Sequence, residues 1–238
     1  MDLPLPNNNK ELQIIVGDIN VNRYPIRTKL VKKGDNIADI VTKEVKKYFP
    51  IIKSDNKVIV ISEKAVAVSQ GRGYPIKDIR PGKLAKFLSK YVTKTPYGIG
   101  LGMPETMELA IKEVGVLRIL TAFFWAAITK PFGIKGVFYI IAGPKARSID
   151  GPTPHTIPPY NTYAVMGPEN PDKVAKEISQ RCDNVGVMII DANDMGQNKL
   201  GSYGIKNTDF ILKTFKDNPL GQSDAQTPMA IVTWENEK

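Results

Sequence analysis

The sequence predicts a protein of the α+β class. Two short runs rich in β-branched residues, Lys57–Ser62 and Val185–Ile190, have the length and composition of buried strands. Apolar residues recur at helical spacing after the turn Gly34-Asp35, and Pro171–Cys182 predicts another helix. At 238 residues and 42% hydrophobic composition, the chain is long enough to bury a sizeable core.

Shorter patterns predict the remaining elements. Further strands are predicted at Leu12–Val16, Tyr24–Val31, Gly136–Ala142 and Met229–Trp234. Further helices are predicted at Pro81–Val92 and at Glu105–Ala127, the second with a break at Gly115. Residues 192–208 are rich in Gly, Asn and Asp and predict an irregular segment. Without a repeat or linker that forces a cut, we expect an N-terminal tail and first strand over 1–22 and a single domain over 23–238.

The most apolar stretch of the sequence is Ile119–Ile128. A membrane-spanning helix needs about 20 apolar residues, so this stretch predicts a buried element and no membrane partner. The polar start of the sequence lacks the pattern of a secretory signal. Together with the use of one cysteine, this predicts a cytoplasmic protein.

Cys182 and His155 are the only residues of their types in the sequence. A thiol nucleophile normally needs a neighbouring imidazole, so Cys182 is predicted to be a small buried hydrophobe. His155 stands in a proline-rich loop, where a surface or hydrogen-bonded histidine is a stronger reading than a general base.

The chain is basic, with 33 Lys and Arg against 24 Asp and Glu and a formal net charge of +9. Such a field attracts polyanions in general. The cations are scattered in short clusters such as Lys32-Lys33 and Lys46-Lys47, and no nucleic-acid-binding signature accompanies them. A positive rim for nucleotide phosphates and an acidic substrate explains the charge at least as well as nucleic acid does.

Two aspartates follow predicted strands and are candidate metal ligands. Asp150 comes after the strand predicted at 136–142. Asp191 stands at the end of the strand predicted at Val185–Ile190. Hard cations take oxygen ligands, although an aspartate in such a place is more often a turn former or helix cap. Lys64 beside a strand end can pair with a nucleotide phosphate. The glycine-rich loop 98–102 matches no phosphate-binding pattern and predicts a flexible turn.

Five segments carry a resemblance to a known family. They are Arg23–Lys33 followed by Gly34-Asp35, Val58–Arg72, Arg147–Thr153, Val185–Asn193 and Leu220–Pro228. In this order they resemble the coenzyme F420-0 gamma-glutamyl ligase family, over residues 23 to 234. The resemblance implies an α+β fold of mixed sheets with helices, which assembles as an intertwined homodimer.

The resemblance also implies an activity. Members of the family join L-glutamate to an acceptor carboxylate with GTP and a divalent metal. The partners implied here are GTP or ATP, L-glutamate and an acidic small-molecule acceptor, with Mg²⁺ or Mn²⁺ as cofactor. The acceptor carboxylate would attack the γ-phosphate, and the amino group of glutamate would displace the resulting acyl phosphate.

The resemblance assigns roles by position. The implied catalytic residues are Lys64, Asp150 and Asp191. The implied metal ligands are Asp150, Asp191 and Gln222. The implied nucleotide contacts are Pro25, Ile26, Lys64, Thr153, Gly221, Gln222 and Ser223. Arg72 is a supporting cation in this scheme, and Ala192 stands where the family commonly offers a threonine ligand.

Departures from the family pattern leave the acceptor open. The section between Asp191 and Gln222 is shorter than the corresponding section of the family. Residues 93–143 are unlike the sequence expected of the family members that act on the deazaflavin F420-0. The acceptor is therefore an F420-0-type compound, a folate, another γ-carboxylate compound or something unrelated. Three hypotheses follow: an amide ligase, a non-catalytic nucleotide- or anion-binding descendant of the scaffold, and a nucleic-acid-binding protein.

Overall fold

The chain divides into two compact units. The computed structural model describes residues 2–92, 100–193, 196–221 and 225–235. Residues 1–71 and 168–238 form the first unit, and residues 72–167 form the second. The domain boundary predicted after residue 22 stays a prediction.

Strands and helices are mixed along the described residues. Up to residue 71 they are β1 (Gln13–Val16), β2 (Ile19–Ile26), α1 (Ile37–Lys46), β3 (Asn56–Ser62) and α2 (Glu63–Ser69). The second unit has β4 (Gly73–Pro75), α3 (Lys83–Leu88), α4 (Pro104–Val114), α5 (Val116–Thr129), α6 (Val137–Ala142), α7 (Pro144–Arg147) and β5 (Tyr163–Val165). The rest has α8 (Pro171–Arg181), β6 (Gly186–Asn193), β7 (Gly196–Tyr203), α9 (Thr208–Lys213) and β8 (Met229–Trp234).

The first unit is built on a six-stranded mixed sheet, which confirms the predicted α+β class. The strand order is β1-β2-β8-β3-β6-β7. β3 and β6 are parallel, and β8 runs antiparallel to both β2 and β3. The strands β2, β3 and β6 therefore point in one direction, and their carboxyl ends lie at the same edge of the sheet.

The central strands are covered on both faces, which explains their continuous apolar sequences. Val58 and Val60 of β3 belong to a cluster with Phe215 in the turn after α9. The alternate residues Ile59 and Ile61, which point to the other face, are also fully buried. Both faces of β3 are therefore buried, which leaves no solvent-facing position from Val58 to Ile61.

A fully buried arginine ties three parts of the first unit together. Arg23 on β2 is 0% exposed. Its Nη2 donates to Glu11 O at 2.6 Å and Asp217 Oδ2 at 3.0 Å, and its Nη1 donates to Thr214 O at 2.9 Å and to Asp217 Oδ1. Burial acts to raise the pKa of Asp217, but the hydrogen bond and charge of Arg23 outweigh it and lower that pKa.

The second unit packs its helices around one apolar cluster. The cluster draws on α3 through α7, and its fully buried members include Leu101, Met107, Ile119 and Ala142. β4 and β5 form a small antiparallel sheet. Gly115, at φ 87°, separates α4 from α5, so the predicted break is confirmed.

The strand predicted at Gly136–Ala142 is wrong, because residues 137–142 form the helix α6. Phe138 and Ala142 are buried one helical turn apart, whereas Ile140 is 68% exposed. An apolar run this short carries no period that separates a strand from a helix. Consequently, Asp150 follows two short helices and not a strand.

The irregular segment predicted at 192–208 is also wrong over residues 196–203, which form β7 beside β6. Gly201 explains part of the error. A Cβ at this position would lie 2.6 Å from backbone atoms of Pro171 and Asp172 at the start of α8. The glycine marks a close approach of strand to helix and not a loop.

The prediction that Ile119–Ile128 is a buried element is wrong for half of the helix surface. Ile119 and Ala122 are fully buried, but Phe124 is 58% and Trp125 is 47% exposed. In the part of the chain that the structure describes, no helix is long and apolar enough to span a membrane.

The substitution Asp217→Asn is expected to lower the free energy of unfolding by about 1.5–3 kcal/mol, the range for hydrogen bonds to charged groups. The variant leaves the buried guanidinium of Arg23 without its counter-charge. Urea denaturation measures the loss. The wild-type advantage is fully present above the usual Asp pKa and disappears as the pH falls through the lowered pKa of Asp217.

The control for this substitution is Asp183→Asn, which removes a surface ion pair. The carboxylate of Asp183 lies 3.5 Å from Lys46 Nζ, and both side chains are exposed. This variant is expected to stay within about 0.5 kcal/mol of wild type. Equal losses for the two variants would contradict the special role of the ion pair that Asp217 makes with the buried Arg23.

Candidate functional site

The carboxyl ends of three strands form one edge of the sheet in the first unit. Ile26 pairs with Met229, Met229 pairs with Ile61, and Ile61 pairs with Ile189. Neighbouring strands are about 4.8 Å apart, so this row spans about 14 Å. The residues directly beyond the row are here named the carboxyl edge. In open sheets, ligands bind beyond the carboxyl ends of parallel strands.

Two of the predicted catalytic residues, Lys64 and Asp191, lie at the carboxyl edge. Ser62 of β3 pairs with Ile190 of β6. Lys64 follows in the first turn of α2, and Asp191 follows directly in β6. Both side chains are half-buried. The structure therefore places an ammonium group just beyond the carboxyl end of β3 and a carboxylate in the adjacent β6, which continues to Asn193 beside β7. The predicted strand end at Asp191 is wrong by two residues, because β6 extends past β3.

Pro25 and Ile26 close β2 at the same edge. Their partners are Ala230 and Met229 of β8. Both side chains are buried, so a ligand at this point would meet the backbone of the strand end and the exposed Arg27 that follows.

The loop before β8 runs along the carboxyl edge. Thr28 N donates to Gln226 O at 3.2 Å, and Ser62 N donates to Pro228 O at 2.8 Å. Gly221 begins this loop with φ 71°. The predicted ligands Gln222 and Ser223 lie outside the described residues. The backbone bonds place the described part of the loop between the ends of β2 and β3.

The side chain of Asn7 holds the two ends of this loop. Its Nδ2 donates to Pro219 O at 2.8 Å and Thr227 Oγ1 at 2.9 Å. Thr227 Oγ1 in turn donates to Leu220 O at 2.6 Å. A Cβ at Gly221 would lie 3.0 Å from Asn7 Nδ2, so a side chain there would disturb this arrangement.

Asp150 and Thr153 belong to the second unit. Asp150 N donates to Val165 O at 2.8 Å, and Val165 N donates to Asp150 O at 2.9 Å. Asp150 thus adds one bridge to the small sheet of β4 and β5. Thr153 Oγ1 accepts from His155 N at 3.3 Å within the proline-rich loop.

The predicted metal ligands are divided between the units. Asp191 lies in the first unit, Asp150 lies in the second, and Gln222 is not described. Among the described residues, no group of three or more His, Cys, Asp or Glu is arranged to hold a metal ion. Carboxylate oxygens nevertheless suit Mg²⁺, which commonly uses one or two of them together with substrate phosphates. The donor type fits the ion, and the metal stays a prediction.

Arg72, the predicted supporting cation, is anchored within the second unit. Its Nη2 lies 2.9 Å from Glu113 Oε1, and both side chains are nearly buried. Its Nε donates to Gly167 O, and Lys145 Nζ lies 3.6 Å from the same Glu113 oxygen. Much of its charge is therefore balanced by Glu113.

Glu63 is a carboxyl-edge residue to which the sequence analysis assigned no role. It begins α2 directly after β3 and is only 7% exposed. The signal was present, since an acidic residue directly after a buried strand is the same pattern that singled out Asp191. Its buried carboxyl group stands next to Lys64 in the sequence.

Cys182 and His155 behave as the sequence predicts. Cys182 is fully buried, its Sγ lies 3.6 Å from Thr42 Oγ1, and burial raises the pKa of its thiol. His155 is exposed in its loop. Neither residue has the surroundings of an activated nucleophile and base.

Comparison with known proteins adds a family and two relatives. The sequence pattern of the F420-0:Gamma-glutamyl ligase family matches residues 25–208. An uncharacterized protein of Methanocaldococcus jannaschii is 28% identical over 161 residues, which are 65% of this chain and 50% of that protein. A coenzyme F420:L-glutamate ligase of Methanosarcina acetivorans is 21% identical over 211 residues, which are 87% of this chain and 71% of that protein.

The chain therefore spans half the length of the first relative and most of the second. The family match begins at the end of β2 and includes β3, α2 and β6, the elements that carry Lys64 and Asp191. Since the match covers most of the sequence, this chain belongs to the F420-0:gamma-glutamyl ligase family.

Proposed function

We propose that this protein is a nucleotide-dependent amide ligase that joins L-glutamate to an acceptor carboxylate. The observation that carries the proposal is the carboxyl edge. The ends of β2 and β3, Lys64 and Asp191 all lie at this one edge of the sheet. The family and the M. acetivorans ligase support the reaction type. We further propose GTP or ATP as the phosphoryl donor, an F420-0-type acceptor, and a cytoplasmic homodimer.

Lys64 and Asp191 have complementary roles in this proposal. The ammonium group of Lys64 is a compact point charge that suits a nucleotide phosphate. Asp191, with Gln222 as a further proposed ligand, would hold Mg²⁺ or Mn²⁺. When bound, such an ion neutralises charge on the transferring phosphoryl group.

The reaction balances without a covalent enzyme intermediate. An oxygen of the acceptor carboxylate forms a bond to the γ-phosphorus, and the nucleoside diphosphate leaves with the bridging oxygen. The amino group of glutamate then attacks the acyl carbon, phosphate leaves, and the amine nitrogen loses a proton. The inaccessible thiol of Cys182 is consistent with a route that needs no enzyme nucleophile.

Substitutions at the carboxyl edge test nucleotide binding. Lys64→Gln is expected to weaken GTP or ATP affinity about tenfold, the loss of one hydrogen bond to a charged group. Asp191→Asn is expected to remove the increase in nucleotide affinity that Mn²⁺ produces. Isothermal titration with each nucleotide, with and without Mn²⁺, measures both effects.

The matched controls lie before β3, at the opposite edge of the same sheet. Lys53 and Asp55 are exposed there, next to the first residue of the strand. Lys53→Gln and Asp55→Asn are expected to bind nucleotide as the wild type does. Losses of the same size at both edges would show that the protein does not use the carboxyl edge.

Turnover is tested with the F420-0 acceptor. Phosphate release is expected only when nucleotide, Mn²⁺, acceptor and an amine, either L-glutamate or hydroxylamine, are present together, and hydroxylamine is expected to trap the acyl phosphate as a hydroxamate. Mass spectrometry should show the glutamyl product when L-glutamate replaces hydroxylamine. A folate acceptor in parallel tests the other proposed class.

The second candidate is a non-catalytic nucleotide-binding descendant of the ligase scaffold. It is favoured by the pairing of Arg72 with Glu113 and by Ala192 in place of the family threonine. It predicts nucleotide binding at the carboxyl edge without phosphate release for either acceptor. That result would contradict the ligase proposal while leaving the binding site intact.

A further inference from the structure

The helix α5 is apolar on two opposite faces. Ile119 and Ala122 point into the core of the second unit. On the opposite side, Leu117 is 81%, Phe124 is 58% and Ile128 is 41% exposed. A surface helix normally carries polar residues on its outer side, so this second face requires a separate explanation.

The outer face is continuous along the helix. Its members are Leu117, Leu120, Phe124, Trp125 and Ile128 of α5 and Phe132 in the turn that follows, which are each at least 38% exposed. The spacing of three or four residues places Leu117, Leu120, Phe124 and Ile128 in one row. Phe124 and Trp125 contact each other with ring centroids 5.7 Å apart. These six residues are named the outer apolar face.

The sequence around the outer apolar face is positively charged and lacks acidic residues. Residues 114–149 contain Arg118, Lys130, Lys135, Lys145 and Arg147 but no Asp or Glu. The stretch that contains the neighbouring α3, residues 79–104, has Arg80, Lys83, Lys86, Lys90 and Lys94 and again no Asp or Glu. Lys145 pairs with Glu113, so the exposed positive charge at the end of α5 comes from a rim of Lys130 and Lys135.

We propose that the outer apolar face docks in the plane of an anionic lipid bilayer. The apolar side chains would enter the boundary between headgroups and acyl chains, where Trp and Phe are favoured. Lys130 and Lys135, both exposed just beyond α5, would face the lipid phosphates. At 14 residues, α5 is too short to span the bilayer and would lie along its surface.

Charge favours a lipid surface over a second copy of the chain. In a two-fold interface the same patch faces itself, so the cations of one rim would meet those of the other. An anionic bilayer supplies both an apolar phase and the opposite charge. This proposal departs from the expectation of no membrane partner, whose premise was a buried Ile119–Ile128.

Vesicle flotation tests the proposal on the full chain. The protein is expected to float with vesicles of phosphatidylcholine and phosphatidylglycerol and to remain unbound with vesicles of phosphatidylcholine alone. Binding to the anionic vesicles should weaken as salt rises, because the rim is exposed to solvent. Equal binding to neutral vesicles, or no binding to either, would overturn the proposal.

Two double substitutions separate the apolar and the charged contributions. Phe124→Ser with Trp125→Ser removes the aromatic centre, and Lys130→Glu with Lys135→Glu reverses the rim. The lysine pair is expected to lower vesicle affinity by at least about tenfold, since one basic residue near an anionic surface contributes a factor of about five. The aromatic pair is expected to lower it by at least about tenfold as well, because binding strength scales with the apolar area that enters the bilayer. Circular dichroism should show an unchanged helix content, because all four side chains are exposed.

Matched controls lie in the first unit. Ile15→Ser removes an apolar side chain that is 71% exposed, and Lys206→Glu with Lys216→Glu makes the same change in net charge at exposed positions. Both controls are expected to bind anionic vesicles nearly as the wild type does. If the controls lose as much affinity as the α5 variants, binding depends on the overall charge or hydrophobicity of the protein and not on the outer apolar face. That result would overturn the proposed docking site.

Sedimentation velocity tests whether a second copy of the chain, and not a lipid surface, packs on the outer apolar face. If the outer apolar face joins two copies, Phe124→Ser with Trp125→Ser will convert a wild-type dimer to monomer while vesicles bind neither form. That result would overturn the lipid proposal in favour of self-association. The lipid proposal predicts the same oligomeric state for the wild type and this variant.

Discussion

The arrangement of the first unit depends on β8, a single strand that pairs on both sides. Because β8 is antiparallel to β2 and to β3, these two strands share a direction, and β6 follows β3 in parallel. The carboxyl edge is a direct consequence of this order. The loop that leads into β8 must run along the same edge, where backbone bonds to Thr28 and Ser62 and the side chain of Asn7 hold it.

Sequence reasoning succeeds where one physical demand dominates. A strand covered on both faces must be apolar throughout, so β3 and β6 were predicted from composition and length alone. Gly115 marked the end of α4 because its φ of 87° excludes most side chains. The placement of both Lys64 and Asp191 at one edge could not be derived in this way, since it depends on which strands are neighbours and on their directions.

The failures have physical causes as well. Gly201 looks like a loop residue in sequence, but it is required where β7 touches the start of α8. The apolar run of α6 fits a strand or a helix equally. In α5, one apolar face serves the core and the other stays exposed, and hydrophobicity alone does not separate core from contact surface. The roles of Asp150 and Gln222 remain predictions from family resemblance.

Hydrogen–deuterium exchange with mass spectrometry tests the central claim, that the carboxyl edge binds nucleotide, most directly. With GTP or ATP and Mn²⁺, we expect slower exchange in peptides that cover Ile26–Thr28, Ser62–Lys64 and Ile190–Asp191. Peptides from Lys53–Asp55, at the opposite edge of the sheet, should exchange at the same rate with and without nucleotide. Protection confined to other segments, or no protection with either nucleotide, would contradict the account.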